Sequence, residues 1–278
     1  GQYQKFLEEK QLVESQKLAE LKSLEDKVAR MQAFVDKFKA KASKARQAQS
    51  RVKMIEKIEL PDIKQSSRIA PHFQFKTKRP SGKQVLHVRK LSKSFQDKSL
   101  FSRLQFDVQR GEKIAIVGEN GVGKSTLLKI VLGQIAADDG SYEWGHEAQI
   151  SYFSQDHHES LSENTKVLPW LTHAVPQITE QQARKALAQV LFVKDDVEKD
   201  ILTLSGGEAA RLLLAKMMLE EGNIIVLDEP TNHMDIESTD ALAKALRDYT
   251  GTLLFVSHDR HFISAIANRI LFISHSKG

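Results

Sequence analysis

Gly118-Glu119-Asn120-Gly121-Val122-Gly123-Lys124-Ser125 is the stretch that decides the fold. It has the spacing G-x-x-x-x-G-K-[ST], with an apolar strand-like run at 114–117 before it and a helix-forming run at 125–132 after it. Strand, glycine loop and helix together make a phosphate cradle. The glycines let successive backbone N–H groups turn toward phosphate oxygens, and the helix N-terminus adds partial positive charge. The cradle takes in residues Gly118, Glu119, Asn120, Gly121, Val122 and Gly123 and runs on through Thr126. Lys124 is placed for the β and γ phosphates and the Ser125 hydroxyl for Mg2+. Without its flanking strand and helix, the same loop would be a glycine-rich turn that binds nothing.

Two further segments extend this reading. Ile224-Ile225-Val226-Leu227-Asp228-Glu229 is an apolar strand ending in two acids. A buried strand that delivers carboxylates at its C-terminal end suits a metal and water site in an open α/β sheet. Asp228 is expected to hold Mg2+, directly or through water, and Glu229 to orient or deprotonate the attacking water. Alone, the pair would equally be a solvated strand end. Leu204-Ser205-Gly206-Gly207-Glu208 precedes an apolar-striped helix. It reads either as a second phosphate-binding helix start or as an ordinary N-cap, with Ser205 and Glu208 forming a capping box.

Around these motifs, residues 84–278 alternate strand and helix. Strands are expected at 85–91, 104–108, 113–117, 149–153, 224–227, 252–256 and 269–273, and helices after Lys124, Thr179, Gly207, Ile236 and Arg260. The alternation predicts an α/β domain with a largely parallel sheet.

The net charge of +5 over 278 residues conceals a split. Residues 1–83 hold 20 Lys and Arg against 10 Asp and Glu, and residues 84–278 hold 21 against 26. A basic arm precedes a mildly acidic body, as expected of a chain with one task at a polyanion. Cysteine is absent, which excludes disulfides, thiolate metal sites and a cysteine nucleophile and fits a reducing compartment. No apolar run is long enough to span a bilayer, and no secretory signal opens the chain.

Residues 1–60 contain no Pro, and no Gly after Gly1. Leu18, Leu21, Leu24, Val28, Met31, Val35 and Phe38 make one helical stripe. The stripe lapses after Lys39 and resumes at Val52, Ile55 and Ile58. A hairpin turning near 39–44 lets each arm bury the other's apolar face. The tip concentrates Lys37, Lys39, Lys41, Lys44, Arg46, Arg51 and Lys53 with no intervening acid. Such a run is suited to phosphates, with Gln47, Gln49 and Ser50 available to sugar or base edges. On its own it would equally be a solvated helix face. Residues 61–83, with Pro61, Pro71, Pro80 and Gly82, read as an extended linker.

Taken together, the motifs resemble the ATP-binding cassette superfamily. Ser205-Gly206-Gly207-Glu208 resembles its signature motif, Gln155 in Ser151-Tyr152-Phe153-Ser154-Gln155 its Q-loop, and Ser257-His258-Asp259-Arg260 its switch-histidine loop. Phe95 lies 23 positions before Gly118, where the family places an aromatic residue that stacks on adenine. The resemblance covers 84–278 and implies the cofactors ATP and Mg2+. It implies that Gln155 contacts the metal with Ser125 and Asp228, and that His258 contacts the γ-phosphate or water. It also implies head-to-tail pairing, in which Ser205, Gly206 and Gly207 of one cassette close over the γ-phosphate held by Lys124 of another. Asp235 then lies in the loop that reads the opposing site.

Glu229-Pro230-Thr231-Asn232-His233-Met234-Asp235 is similar to the EPTNHLD run of the ABC-F family, with Met234 in place of Leu. Glu208, and the short 81-residue separation of Lys124 from Ser205, point the same way. The stretch 38–51 is similar to linker tips of the YheS-type branch. The resemblance implies a P-loop cassette with a small helical subdomain, preceded by an α-helical hairpin (coiled-coil) linker over 1–60. It implies a cytoplasmic ATPase on the ribosome whose hairpin contacts peptidyl-tRNA and rRNA. The first cassette would then be missing from this chain, with self-pairing as a substitute, and strands or helices would continue past Gly278. Two other readings stay open. One is the ATPase subunit of a membrane transporter. The other is a DNA-maintenance cassette, whose coiled coil would normally lie between P-loop and signature rather than before both.

Overall fold

The structure, a computed structural model, describes residues 70–95, 98–157 and 161–274. The expected hairpin of 1–60 and its basic tip lie outside the described residues. The chain divides into two compact units, Gly1–Arg68 and Ile69–Gly278. The described residues all belong to the second.

The centre of this unit is a five-stranded parallel sheet in the order β5-β6-β7-β3-β8. The strands are β3 (Lys113–Gly118), β5 (Ile150–Phe153), β6 (Ile224–Asp228), β7 (Thr252–Val256) and β8 (Arg269–Ile273). Every residue of β6 and β7 is buried. Strands covered on both faces read as continuous apolar runs rather than alternating ones, which makes them legible in the sequence. Because β7 lies between β6 and β3, the C-terminal ends of these three strands sit side by side.

A second sheet corrects the expectation of a single, largely parallel one. β1 (Gln84–Phe95), β2 (Lys98–Gln109) and β4 (Asp139–Trp144) form an antiparallel sheet in the order β2-β1-β4. β1 and β2 are longer than their sequence patterns indicate. Register shifts between Val88 and Leu91, with Lys90 at φ 48°, interrupt the alternation that would have marked them. β4, Asp-Gly-Ser-Tyr-Glu-Trp, is mostly exposed, and only Tyr142 and Trp144 on one face pack against the core, too short an apolar pattern to announce a strand.

Helix α1 (Lys124–Val131) follows β3. α2 (Val167–Ala174), α3 (Glu180–Gln189) and α4 (Gly206–Glu220), with 3-10 turns at Lys194–Glu198 and Ile201–Thr203, make the helical part. Trp170, Leu171, Leu187, Phe192 and Ile201 are buried there. α2 is absent from the expected helices because Pro169 interrupts its pattern. The proline falls in the first turn, where a backbone N–H has no intrahelical acceptor to lose. α5 (Ile236–Asp248) and α6 (Arg260–Ile266) complete the unit.

The boundary expected at residue 84 also moves. Residues 70–83 carry neither helix nor strand, yet they are packed onto the body. Phe73 and Phe75 are 5% and 8% exposed and belong to the main core. The His72 N–H donates to the Gln189 carbonyl at 2.8 Å, and the Asn223 side chain donates to the Arg79 carbonyl at 3.1 Å. Proline content speaks against regular structure there, but it does not bear on burial.

Candidate nucleotide site

Strand ends and the loops after them build the site. Gly118 closes β3 against β8, and a side chain there would collide with the Ile273 carbonyl. Gly121 and Gly123 have φ of 74° and 100°, a region that side-chain-bearing residues avoid. Gly123 caps α1 without a side-chain hydrogen bond, so the first N–H groups of the helix face the loop. Lys124 is buried, and its ammonium folds back to donate to the carbonyls of Gly118 at 2.9 Å and Glu119 at 3.0 Å. Those bonds hold a positive charge across the loop.

The Ser125 hydroxyl donates to Asp228 Oδ1 at 2.9 Å. Asp228 ends β6 and is 1% exposed. Burial pushes its carboxyl above the ordinary carboxylate range; the Ser125 hydrogen bond opposes the rise and the Glu229 charge adds to it. Asp228 Oδ2 and Glu229 Oε1 are both buried and, among the described residues, accept no hydrogen bond. A buried carboxylate oxygen without a donor is costly, and a cation relieves that cost. A hydroxyl and a carboxylate are oxygen donors of the kind magnesium takes, so the residues fit the metal.

Glu229 comes next at φ 50°, a left-handed conformation that costs a non-glycine residue about 1–3 kcal/mol. Its N–H is tied to the Val256 carbonyl at 3.0 Å, which fixes the turn against β7. Glu229 Oε2 accepts from the His258 N–H at 3.2 Å, and His258 Nε2 lies 3.2 Å from Oε1. Thus β6 brings the two carboxylates and β7 brings the histidine.

Two cavities meet here. One of about 440 Å³ is lined by Phe95, Asn120, Thr126, Glu229 and His258, among others. The other, of about 600 Å³, runs past Asp228 to Gly206. Ser125 and Gln155 line both. Phe95, 48% exposed, contributes the aromatic part of the first cavity's wall. Val122 is fully buried in the core and presents only its backbone.

The signature segment shows the capping box its spacing allows. Ser205 Oγ accepts from the Glu208 N–H, and Glu208 Oε2 accepts from the Ser205 N–H at 2.9 Å and its hydroxyl at 2.8 Å. Burial acts to raise the Glu208 carboxyl, but Lys199 at 2.9 Å and the two Ser205 hydrogen bonds outweigh it and hold the pKa at about 2. Glu208, expected among the nucleotide-binding residues, is therefore occupied within its own chain. Asp235 similarly caps α5, accepting from the Ser238 N–H at 2.8 Å.

A second relationship is invisible in the sequence. His157 packs edge-on against Phe153 and His233, with ring centroids 5.0 Å and 6.2 Å apart. A Cβ on Gly206 would lie 3.2 Å from His233 Cγ, and one on Gly207 would lie 3.0 Å from the His233 carbonyl. The segment after Gln155, the loop after Glu229 and the start of α4 are thus in contact. His157 stands two residues past Gln155, and His233 lies inside the run Glu229–Asp235; only their mutual distance is hidden.

Two family models, both described as ABC transporter, match this chain, at residues 101–232 and 1–75. "Probable ATP-binding protein YbiT" of Escherichia coli O157:H7 is 41% identical over 275 residues, covering 99% of this chain and 52% of that protein. "Probable ATP-binding protein YheS" of Escherichia coli K12 is 34% identical over 284 residues, covering 100% and 43%. The chain spans about half the length of these curated relatives. Among solved structures, an ABC transporter of metal-chelate type in an inward-facing conformation matches with a TM-score of 0.56 and 26% identity, over 70% of this chain and 82% of that one. The cassettes of this family are ATPase domains that take ATP with magnesium, and the site geometry and these matches together show that this chain carries an ATP-binding cassette of the ABC type, similar to those of ABC-F proteins.

Proposed function

We propose that this chain is the linker and second cassette of an ABC-F protein that binds and hydrolyses ATP on the ribosome, in the cytoplasm, with its basic tip against peptidyl-tRNA and rRNA. Lys124 and the P-loop N–H groups hold the phosphates. Ser125 and Asp228, with Gln155 beside them, hold magnesium, which neutralises phosphate charge when bound. Glu229 accepts the proton of the attacking water, and His258, hydrogen-bonded to it, orients water or the γ-phosphate. Ser205, Gly206 and Gly207 complete the site of an opposing cassette, either a first cassette or a second copy of this chain. A single copy is therefore expected to hydrolyse ATP slowly.

The observation that carries the ribosomal reading is the run of seven cations, Lys37, Lys39, Lys41, Lys44, Arg46, Arg51 and Lys53, in the same chain as this site. Dense cations in a small-residue context match a phosphate backbone rather than stacked bases. The test uses the full-length protein carrying Glu229→Gln with ATP, sedimented with ribosomes. Trapped, salt-sensitive co-sedimentation is expected; free protein at low salt rejects the reading. The transporter-subunit reading has the likeness to the metal-chelate type transporter in its favour, and co-purification with a membrane protein would select it.

A further inference from the structure

Phe95 lines the first cavity, and the groups that hold its ring in place lie outside the P-loop, the signature segment and the acidic end of β6. Asp138, the residue before β4, accepts three hydrogen bonds from the two residues that precede Phe95. Its Oδ1 takes the Lys93 ammonium at 2.6 Å. Its Oδ2 takes the Ser94 N–H at 2.7 Å and the Ser94 hydroxyl at 2.8 Å. The Asp138 N–H in turn donates to the Ser92 carbonyl at 3.0 Å. A single carboxylate thus ties the end of β1 to the start of β4, at a place where the β1–β4 register has already shifted between Arg89 and Ser92.

The same Lys93 ammonium lies 5.2 Å from the centroid of the Phe95 ring. Lys93 is only 12% exposed, so the contact is made by a side chain already held in place rather than one sampling solvent. A cation over a ring face is worth about 0.5–1 kcal/mol at a partly exposed site. It also takes up one face of the ring and leaves the other for a ligand. The hydrogen bonds themselves hold the Asp138 carboxyl at about 2, the Lys93 contribution being the largest, so the clamp stays charged throughout the neutral range.

We infer that Asp138 and Lys93 are positioning residues for the nucleotide base: the carboxylate fixes the lysine, and the lysine presents the Phe95 ring as a stacking platform. This rests on the reading that Phe95 stacks on the base. The phosphates are held elsewhere, because Lys124, Ser125 and the P-loop are supplied by β3 and α1. The clamp should therefore affect affinity for a ligand that has a base and leave a base-free polyphosphate untouched.

The test measures Mg2+-dependent binding of ATP and of inorganic tripolyphosphate to the 278-residue chain. Asp138→Asn and Lys93→Met are each expected to weaken ATP binding about two- to five-fold, the equivalent of that contact at 1.4 kcal/mol per tenfold, with tripolyphosphate affinity unchanged. Lys93→Arg, which keeps both the ion pair and the cation, should retain ATP affinity. Phe95→Ala is the control for the underlying reading. If it leaves ATP affinity intact, base stacking fails and the inference fails with it. If Phe95→Ala weakens ATP while Asp138→Asn and Lys93→Met do not, the stacking reading stands and the clamp is rejected. Equal loss of ATP and tripolyphosphate in the clamp variants would mean a general structural role and also overturns it.

Discussion

Ser125, the second residue of α1, and Asp228, the last residue of β6, are 103 positions apart and joined by one hydrogen bond of 2.9 Å. The bond satisfies Oδ1 of a fully buried carboxylate and leaves Oδ2 without a donor among the described residues. The arrangement carries a standing electrostatic cost that the metal removes. Functional sites commonly hold such costs, and relieving them raises stability at the expense of activity.

Asp228→Asn should therefore melt higher than the native chain in the absence of nucleotide and lose the stabilisation that Mg-ATP confers. A rise of about 2–4 °C corresponds to ~1 kcal/mol in a domain of this size. Thermal melts with and without Mg-ATP measure both effects. An acid whose folded-state pKa lies above its unfolded value favours folding as it protonates, so the advantage of the variant should narrow as the pH falls toward the ordinary carboxylate range.

The contact of His233 with Gly206 sets up a double-mutant cycle. Gly206→Ala would ordinarily favour the first turn of α4, since alanine has the higher helix propensity. Here its methyl would meet His233 Cγ at 3.2 Å and Cβ at 3.3 Å. Gly206→Ala is expected to destabilise the chain, and adding His233→Gly, which removes both atoms and suits the φ of 67° at that position, to restore it, with a coupling of about 0.5–3 kcal/mol. Urea denaturation of the four proteins reads the coupling; strict additivity would refute the contact.

Glu208 supplies an acid-sensitive element of stability. Its pKa is lowered to about 2 from 4.5, so its contribution is present above the unfolded value and lost as the pH falls from about 4.5 toward 2. Glu208→Gln keeps the capping-box geometry but gives up the charge partner of Lys199. The native chain should exceed the variant in stability near neutral pH, and the gap should narrow with acid in melts run from about pH 6 down to about pH 3.

Residues 70–83 test where the folding unit starts. A chain beginning at Gln84 loses Phe73, Phe75 and the hydrogen bonds of His72 and Arg79. Deleting one buried phenylalanine side chain costs about 3–5 kcal/mol, a large part of the stability of a single domain. A chain beginning at Ile69 should fold cooperatively by calorimetry, whereas one beginning at Gln84 should aggregate or show no cooperative transition. Within the longer chain, Phe75→Ala should lower the melting temperature and remove the edge-on contact with Tyr249 at 6.3 Å.

What the sequence determined by itself was the set of elements whose chemistry is local. The P-loop was legible because its glycines, its lysine and its flanking strand and helix are contiguous. β6 and β7 were legible because burial on both faces leaves an uninterrupted apolar run, and α3 and α4 because their capping residues are neighbours. The tertiary structure alone decided what depends on distance between remote segments. It produced the β2-β1-β4 sheet, whose strands are interrupted by register shifts or carry only two apolar residues. It buried the strap of residues 70–83, where Pro71, Phe73 and Phe75 alternate with polar residues over too short a run to mark an element. It also joined Ser125 to Asp228, Glu229 to His258 and His233 to Gly206. Side-chain patterns record which surface a residue turns toward the core. They do not record which partner, a hundred residues away, completes its hydrogen bonds.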